Sequence, residues 1–336
     1  MTVPVLLTID TELTWRHLAR GASWEENWER SFDPAGVGVL YQLAMLARHG
    51  LKACFFVDPM PAVRYGIEPV RRMVEPILAA GQEVQLHLHP FWRQPEGMKP
   101  VFELNALTAA LQRDMIRQAR DLLIEAGAPP PIAFRAGSYA ADAATLEALA
   151  ALGIRYDSSH NGSHHPHPSN LPFDPALIDP VEHAGVIEVP VTQIAEAGGG
   201  LRHLQLCAVS FAEIRAALRH ASDAGHRAVT IVSHSFELAS RDGLRPNNVY
   251  RRRFEALCRH LGDRRDTLPT AHFTDLGDIA APVRSRPLPP KRLREARRRG
   301  AQVWADTRYE RPGSALTAVT GSTLAGLEII AAMVVR

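Results

Sequence analysis

Six side chains able to move protons or hold a metal stand at the ends of short apolar runs in this sequence. Asp10 and Glu12 follow VPVLLTI, His87 and His89 lie in EVQLHLH, Arg135 lies in PIAFRAG, and His234 closes AVTIVSH. Residues two apart on a strand face the same way, so Asp10 with Glu12, and His87 with His89, would each project as a pair. Two imidazoles and one carboxylate can bind a divalent metal and leave a position open for water. A second carboxylate is then left over to act as a base. Taken singly, each residue has a plainer reading: a strand-end Asp is commonly a turn or cap residue, a lone His a hydrogen-bonded core residue, and Arg135 one half of a structural ion pair. Their shared position at one end of successive runs is what favours a site.

The elements that must position them repeat along the chain. Runs at 3–9, 52–57, 83–89, 131–137, 186–194, 228–234 and 271–276 read as strands, being short, apolar and rich in β-branched or aromatic residues. Between them lie stretches with apolar residues at three and four spacing, several ending in a glycine suited to a left-handed cap. The alternation implies a parallel α/β fold covered on both faces, and an irregular (β/α) barrel of seven strands is expected over residues 1–280. Reactive residues at the C-terminal ends of barrel strands read as catalytic. No GxGxxG or GxxxxGK[ST] follows any strand, which removes the usual signal for a dinucleotide or nucleoside triphosphate.

Composition narrows the class. At 336 residues, 46% hydrophobic and 22% charged, the chain can bury a substantial core and is neither disordered nor collagen-like. Cys54, Cys207 and Cys258 form no CxxC pair, so neither a disulfide framework nor a thiolate zinc site is indicated. The net charge of +2 hides an asymmetry, since residues 284–336 hold 11 Lys and Arg against 4 acids and the remainder is net negative. That body gives no electrostatic reason to bind nucleic acid. Residues 281–336 are expected as a basic linker and a C-terminal helical tail, either packing back or pairing with another subunit, with peripheral membrane contact the less favoured alternative. No basic start or cleavage site opens the chain, and the expected location is cytoplasmic.

Several motifs, in one order, resemble those of the polysaccharide deacetylases, the NodB-homology family. LTIDTE (7–12) resembles the first motif in its D-x-E variant, GQEVQLHLHPFW (81–92) the histidine motif, and FRAGSYAAD (134–142) the arginine motif. YDSS (156–159) resembles the motif that follows, and IVSHSFEL (231–238) the final histidine motif. The resemblance spans roughly residues 5–276. It implies a NodB-like barrel with Asp10 as catalytic base, Glu12 and His87 as metal ligands, Arg135 as the partner of Asp10, and His234 as general acid. It also implies a divalent metal, Zn2+ first, and an N-acylated sugar or glycan as substrate.

The departures are specific. The second metal histidine usually lies four residues after the first, where this chain has Phe91, so His89 or a histidine of the loop at 160–170, His160 or His164, would complete the set. RAGSY lacks the usual proline. Tyr139 is expected to offer a backbone N–H to the oxyanion, and Trp15, Phe91 and Trp92 to meet the sugar at the rim. The implied reaction removes an acetyl or similar acyl group from a sugar in a glycan or activated precursor. Two other readings are a metal-dependent amidase or deformylase on a non-sugar or lipid-linked substrate, and a non-catalytic glycan-binding protein with a degenerate metal site.

Overall fold

The computed structural model describes residues 2–93, 99–277, 279–280 and 285–310. Its strands and helices in chain order are β1 (Val5–Thr11), α1 (Trp15–Leu18), α2 (Trp24–Ser31), α3 (Val39–His49), β2 (Cys54–Val57), α4 (Ala62–Tyr65), α5 (Glu68–Ala79), β3 (Glu83–Leu88), α6 (Ala109–Glu125), β4 (Ala133–Ala136) and α7 (Ala143–Ala151). There follow β5 (Tyr156–Asp157), β6 (Val181–His183), β7 (Val186–Glu188), β8 (Gln193–Ala195), β9 (Leu201–His203), α8 (Phe211–Ala224), β10 (Val229–His234), α9 (Asn248–Gly262) and α10 (Arg292–Ala305).

The main sheet runs β10-β1-β2-β3-β4-β5-β7-β6, parallel except for the last pair, and curls into an irregular α/β half-barrel. On its open side, irregular backbone approaches β10: Thr192 N–H donates to Thr230 O, Leu206 N–H to Val232 O, and Val232 N–H to Leu204 O. Alternation along β1 explains the layering. Val5, Leu7 and Ile9 pack under the helices, whereas Leu6 joins Cys54, Phe56, Tyr156 and Phe273 in a separate inner core. The helices stop where the sequence punctuates them. α3 ends at Gly50 with φ 60°, and α8 starts on a reciprocal Ser210–Glu213 cap and ends at Gly225 with φ 68°.

Seven parallel strands are present among the described residues, but not the seven expected. An isolated bridge, Val5 with Thr270, comes just before the run at 271–276, which then turns through a 3₁₀ helix, Phe273–Asp275. The reason is a side chain: the Glu83 carboxylate accepts from Phe273 N–H at 2.7 Å and Thr274 N–H at 3.0 Å, taking donors that a strand ladder would need. Its place is taken by β5, two residues of the YDSS motif.

Residues 285–310, within the region expected as a basic linker and helical tail, meet the rest of the protein. Leu288 O accepts from Ala195 N–H at 2.9 Å, and α10 lies on the body. Its buried Arg298 reaches both Glu196 and Glu213, and Glu295 accepts Ala197 N–H at 2.6 Å. The apolar stretch at 316–335 lies outside the described residues, among which no helix is long and apolar enough to cross a membrane.

Candidate metal centre and active site

Register brings the reactive residues together. Asp10 on β1 pairs with His234 on β10, and His87 on β3 pairs with Arg135 on β4, all at the C-terminal ends of their strands. Arg135 is fully buried, and its guanidinium is used on every side. Nη1 donates to Asp10 Oδ1 at 2.6 Å and to Thr8 Oγ1 at 2.9 Å, while Nε and Nη2 each donate to Ser158, at its carbonyl and hydroxyl oxygens, at 3.0 Å. The Phe56 ring lies 4.4 Å from its central carbon. A buried carboxylate held this way has a fixed direction, and Asp10 Oδ2 is left facing His234 Nε2 at 3.9 Å.

Glu12, His87 and His89 form a second group whose ligand atoms lie within 4.8 Å of one another. His87 Nδ1–H donates to Arg135 O at 2.7 Å, which fixes the tautomer and leaves the Nε2 lone pair aimed at Glu12, 3.4 Å away. His89 Nε2 lies against the same Glu12 oxygen. Proximity and hydrogen-bond geometry part company here, because Glu12 Oε2 is buried and has no hydrogen-bond partner of regular geometry. Burial alone would raise the Glu12 carboxyl, but His89 and His87 hold it well below its ordinary value. A buried oxygen with no donor, faced by two imidazole nitrogens, fits a divalent cation. The donor set, two nitrogens and one oxygen, is that of a zinc site with an open position. Of the histidines considered for the place left open by Phe91, His89 is the one gathered with Glu12 and His87. His160 is buried edge-on against Phe173, and His164 lies beside His203, so neither loop histidine joins the group.

Two further carboxylates surround these groups, and sequence reasoning passed over both. Asp58, just past β2, is buried, accepts from Trp92 Nε1–H at 3.1 Å, and is lifted by burial to about 6 despite the pull of His89 and His87. Glu237 accepts the backbone N–H of His234 at 3.1 Å and that of Cys207 at 2.9 Å, and Gln205 Nε2–H donates to it at 3.0 Å. Burial would push the His234 imidazole down. Glu237, with Asp10 and Glu12, outweighs this and raises it to about 9. Burial likewise works to raise Glu237, which His234 and its other donors hold at about 2.

No family model and no curated protein matches the sequence. Solved structures do match. A Mycobacterium smegmatis protein provisionally named a polysaccharide deacetylase superposes with a TM-score of 0.56 at 19% identity, over 85% of this chain and 96% of its own. The chain has the polysaccharide-deacetylase fold. A 4-alpha-glucanotransferase from Thermococcus litoralis also matches, at a TM-score of 0.50 and 11% identity, over 84% of this chain and 41% of its own. A family 4 carbohydrate esterase from Streptomyces lividans matches less closely, at 0.42 and 14%, over 86% and 98%. Folds are shared across chemistries, so function rests on the site.

Within this polysaccharide-deacetylase fold the aromatic residues sort differently from their expected places. Phe91 and Trp92 are 5% and 3% exposed, Phe91 lying beside the His89 ring and Trp92 edge-on to Tyr65. Trp15, partly buried, meets Phe91 and Phe102 edge-on at 5.3 and 5.4 Å. Tyr139 packs with Val191 and Val232. Its hydroxyl is buried with no hydrogen-bond partner, and Ser138 and Tyr139 hold left-handed φ values of 56° and 60°, a strain typical of functional turns. Its ring lies 5.8 Å from that of His164 and 6.1 Å from that of His203.

Proposed function

We propose that this protein is a metal-dependent hydrolase that removes an N-acyl group, acetyl foremost, from a sugar in a glycan or an activated glycan precursor. The observation that carries the reading is the convergence, at one end of the sheet, of the Arg135-bound Asp10, the Glu12–His87–His89 group and the Glu237-backed His234. Glu12, His87 and His89 would hold the cation, Zn2+ by its donor chemistry, and a bound cation supplies polarisation of water and of the amide carbonyl.

The remaining work falls to protein side chains. Asp10, clamped by Arg135 through one oxygen, uses the other to accept a proton from the attacking water. His234, kept protonated to about 9 by its carboxylate neighbours, gives a proton to the departing nitrogen as the C–N bond breaks. Water and amide thereby become carboxylate and amine. The Tyr139 hydroxyl, buried without a partner, is a hydrogen-bonding group for the substrate.

Metal analysis of the purified protein, followed by acetate release from a panel of N-acetyl sugars with and without added Zn2+, tests the proposal. Stoichiometric metal with metal-dependent acetate release is expected. Metal without turnover on any sugar would move the substrate to a non-sugar amide, and absence of metal affinity would reject the hydrolase.

A further inference from the structure

The last paired residues of β3 and β4 are Leu88 and Ala136, so one step further Gly137 stands beside His89. A Cβ built on Gly137 would lie 2.5 Å from both Cε1 and Nδ1 of the His89 ring and 2.7 Å from the Leu88 carbonyl oxygen, inside the 3.0 Å that real Cβ atoms respect. Gly137 does not have a left-handed φ, so the glycine is needed for the close approach and not for its backbone conformation. The imidazole has little room to move. Its other neighbours are His87, ring centroids 4.9 Å apart, and Phe91, 5.4 Å, and its Nε2 is against Glu12. The Leu88 carbonyl is equally constrained, because it belongs to the residue that leads into His89.

We infer that Gly137 is a positioning residue for His89, its absent side chain being the space that lets an H-x-H pair supply two converging ligands. The two departures from the family pattern, His89 in place of a later histidine and a glycine-containing RAGSY turn, then belong to one arrangement. With no side chain at position 137, the His89 ring can lie against the turn with Nε2 beside Glu12. The inference rests on the metal-centre reading proposed above, and its test includes a measurement independent of that reading.

Four full-length proteins are compared: the wild type, Gly137→Ala, His89→Ala and the double variant. Zn2+ affinity is measured by competition with a chromophoric chelator, and thermal midpoints are measured in metal-free buffer. Gly137→Ala is expected to weaken Zn2+ binding about tenfold or more, the scale on which residues that orient metal ligands act. In the His89→Ala background it should weaken binding no further. Its thermal cost should also shrink there, because the ring it collides with is gone. Wild-type Zn2+ affinity in Gly137→Ala, or an equal loss in both backgrounds, would overturn the inference. If the wild type itself binds no Zn2+, the metal centre fails as a whole, and the metal-free midpoints still decide whether Gly137 makes room for His89. A Gly137→Ala thermal cost undiminished by His89→Ala would then reject that as well.

Discussion

Glu237 lies three residues after His234, and its carboxylate both accepts the His234 backbone N–H at 3.1 Å and stands 4.0 Å from the ring Nδ1. One acid therefore fixes the main chain and the charge of the proposed general acid. Removing that charge should let burial dominate and drop the His234 imidazole below about 9. In Glu237→Gln the alkaline limb of the pH–rate profile should move to lower pH, read from kcat/KM. An unmoved limb would show that Glu237 does not set the proton affinity of His234.

The same pair governs stability against pH. His234 is raised from its ordinary 6.5, so its contribution is full below about 6.5 and lost as pH rises through about 9. Glu237 is lowered from 4.5, so its contribution is full above about 4.5 and lost as pH falls through about 2. Denaturant midpoints of Glu237→Gln relative to wild type should show the largest deficit between about 4.5 and 6.5. A deficit independent of pH would rule out the ion pair as its source.

Asp10→Asn and His234→Ala should each cut turnover about 10²- to 10⁴-fold, the usual scale for a positioned base or acid, with metal content unchanged. His87→Ala should instead lose the metal. Because Arg135 is fully buried and its charge is met by Asp10, Asp10→Asn should also be destabilised, by roughly 3–5 kcal/mol if the cation is left uncompensated. Elemental analysis alongside chemical denaturation separates the two effects.

Tyr139→Phe should leave the melting temperature unchanged or higher, since the deleted hydroxyl is buried without a partner. Turnover on the substrate should fall. A loss of stability would mean that the hydroxyl serves the fold.

Added Zn2+ should raise the thermal midpoint of the metal-free protein, by about 2.7 kcal/mol of stability at one hundred times its dissociation constant. Glu12→Gln and His89→Ala should blunt that response, and differential scanning fluorimetry with and without metal reads it directly.

Much of the site was legible because it obeys strand periodicity. Asp10, His87, Arg135 and His234 each end an apolar run, and HLH states by its spacing that both imidazoles share a side. What stayed hidden follows a different logic. Glu237 sits in the turn beyond its strand, where an acid reads as solvated, and Asp58 follows four buried apolar residues as an ordinary turn Asp would. Phe91 and Trp92 are buried, a property that aromatic type alone does not reveal. The strand expected at 271–276 was undone by Glu83, a partner nearly two hundred residues away that no local pattern reveals. β5 was missed because two residues carry too little pattern to count as a run.

Arg298 has a bearing on how the C-terminal region can be dissected. It is buried between Glu196, at the end of the β8–β9 hairpin, and Glu213, itself 1% exposed, and Gln302 nearby donates to Cys207 O, on the residue whose N–H supports Glu237. The hairpin leads through His203 and Gln205 to His234. A chain cut after residue 280 would therefore take the Arg298 cation away from both acids, leaving Glu196 to Arg202 and Glu213 to its Ser210 cap, and loosen the wall behind the proton donor. Such a deletion would lose activity for reasons unrelated to any membrane or partner, so a cut probing the last residues for an anchor has to fall beyond α10.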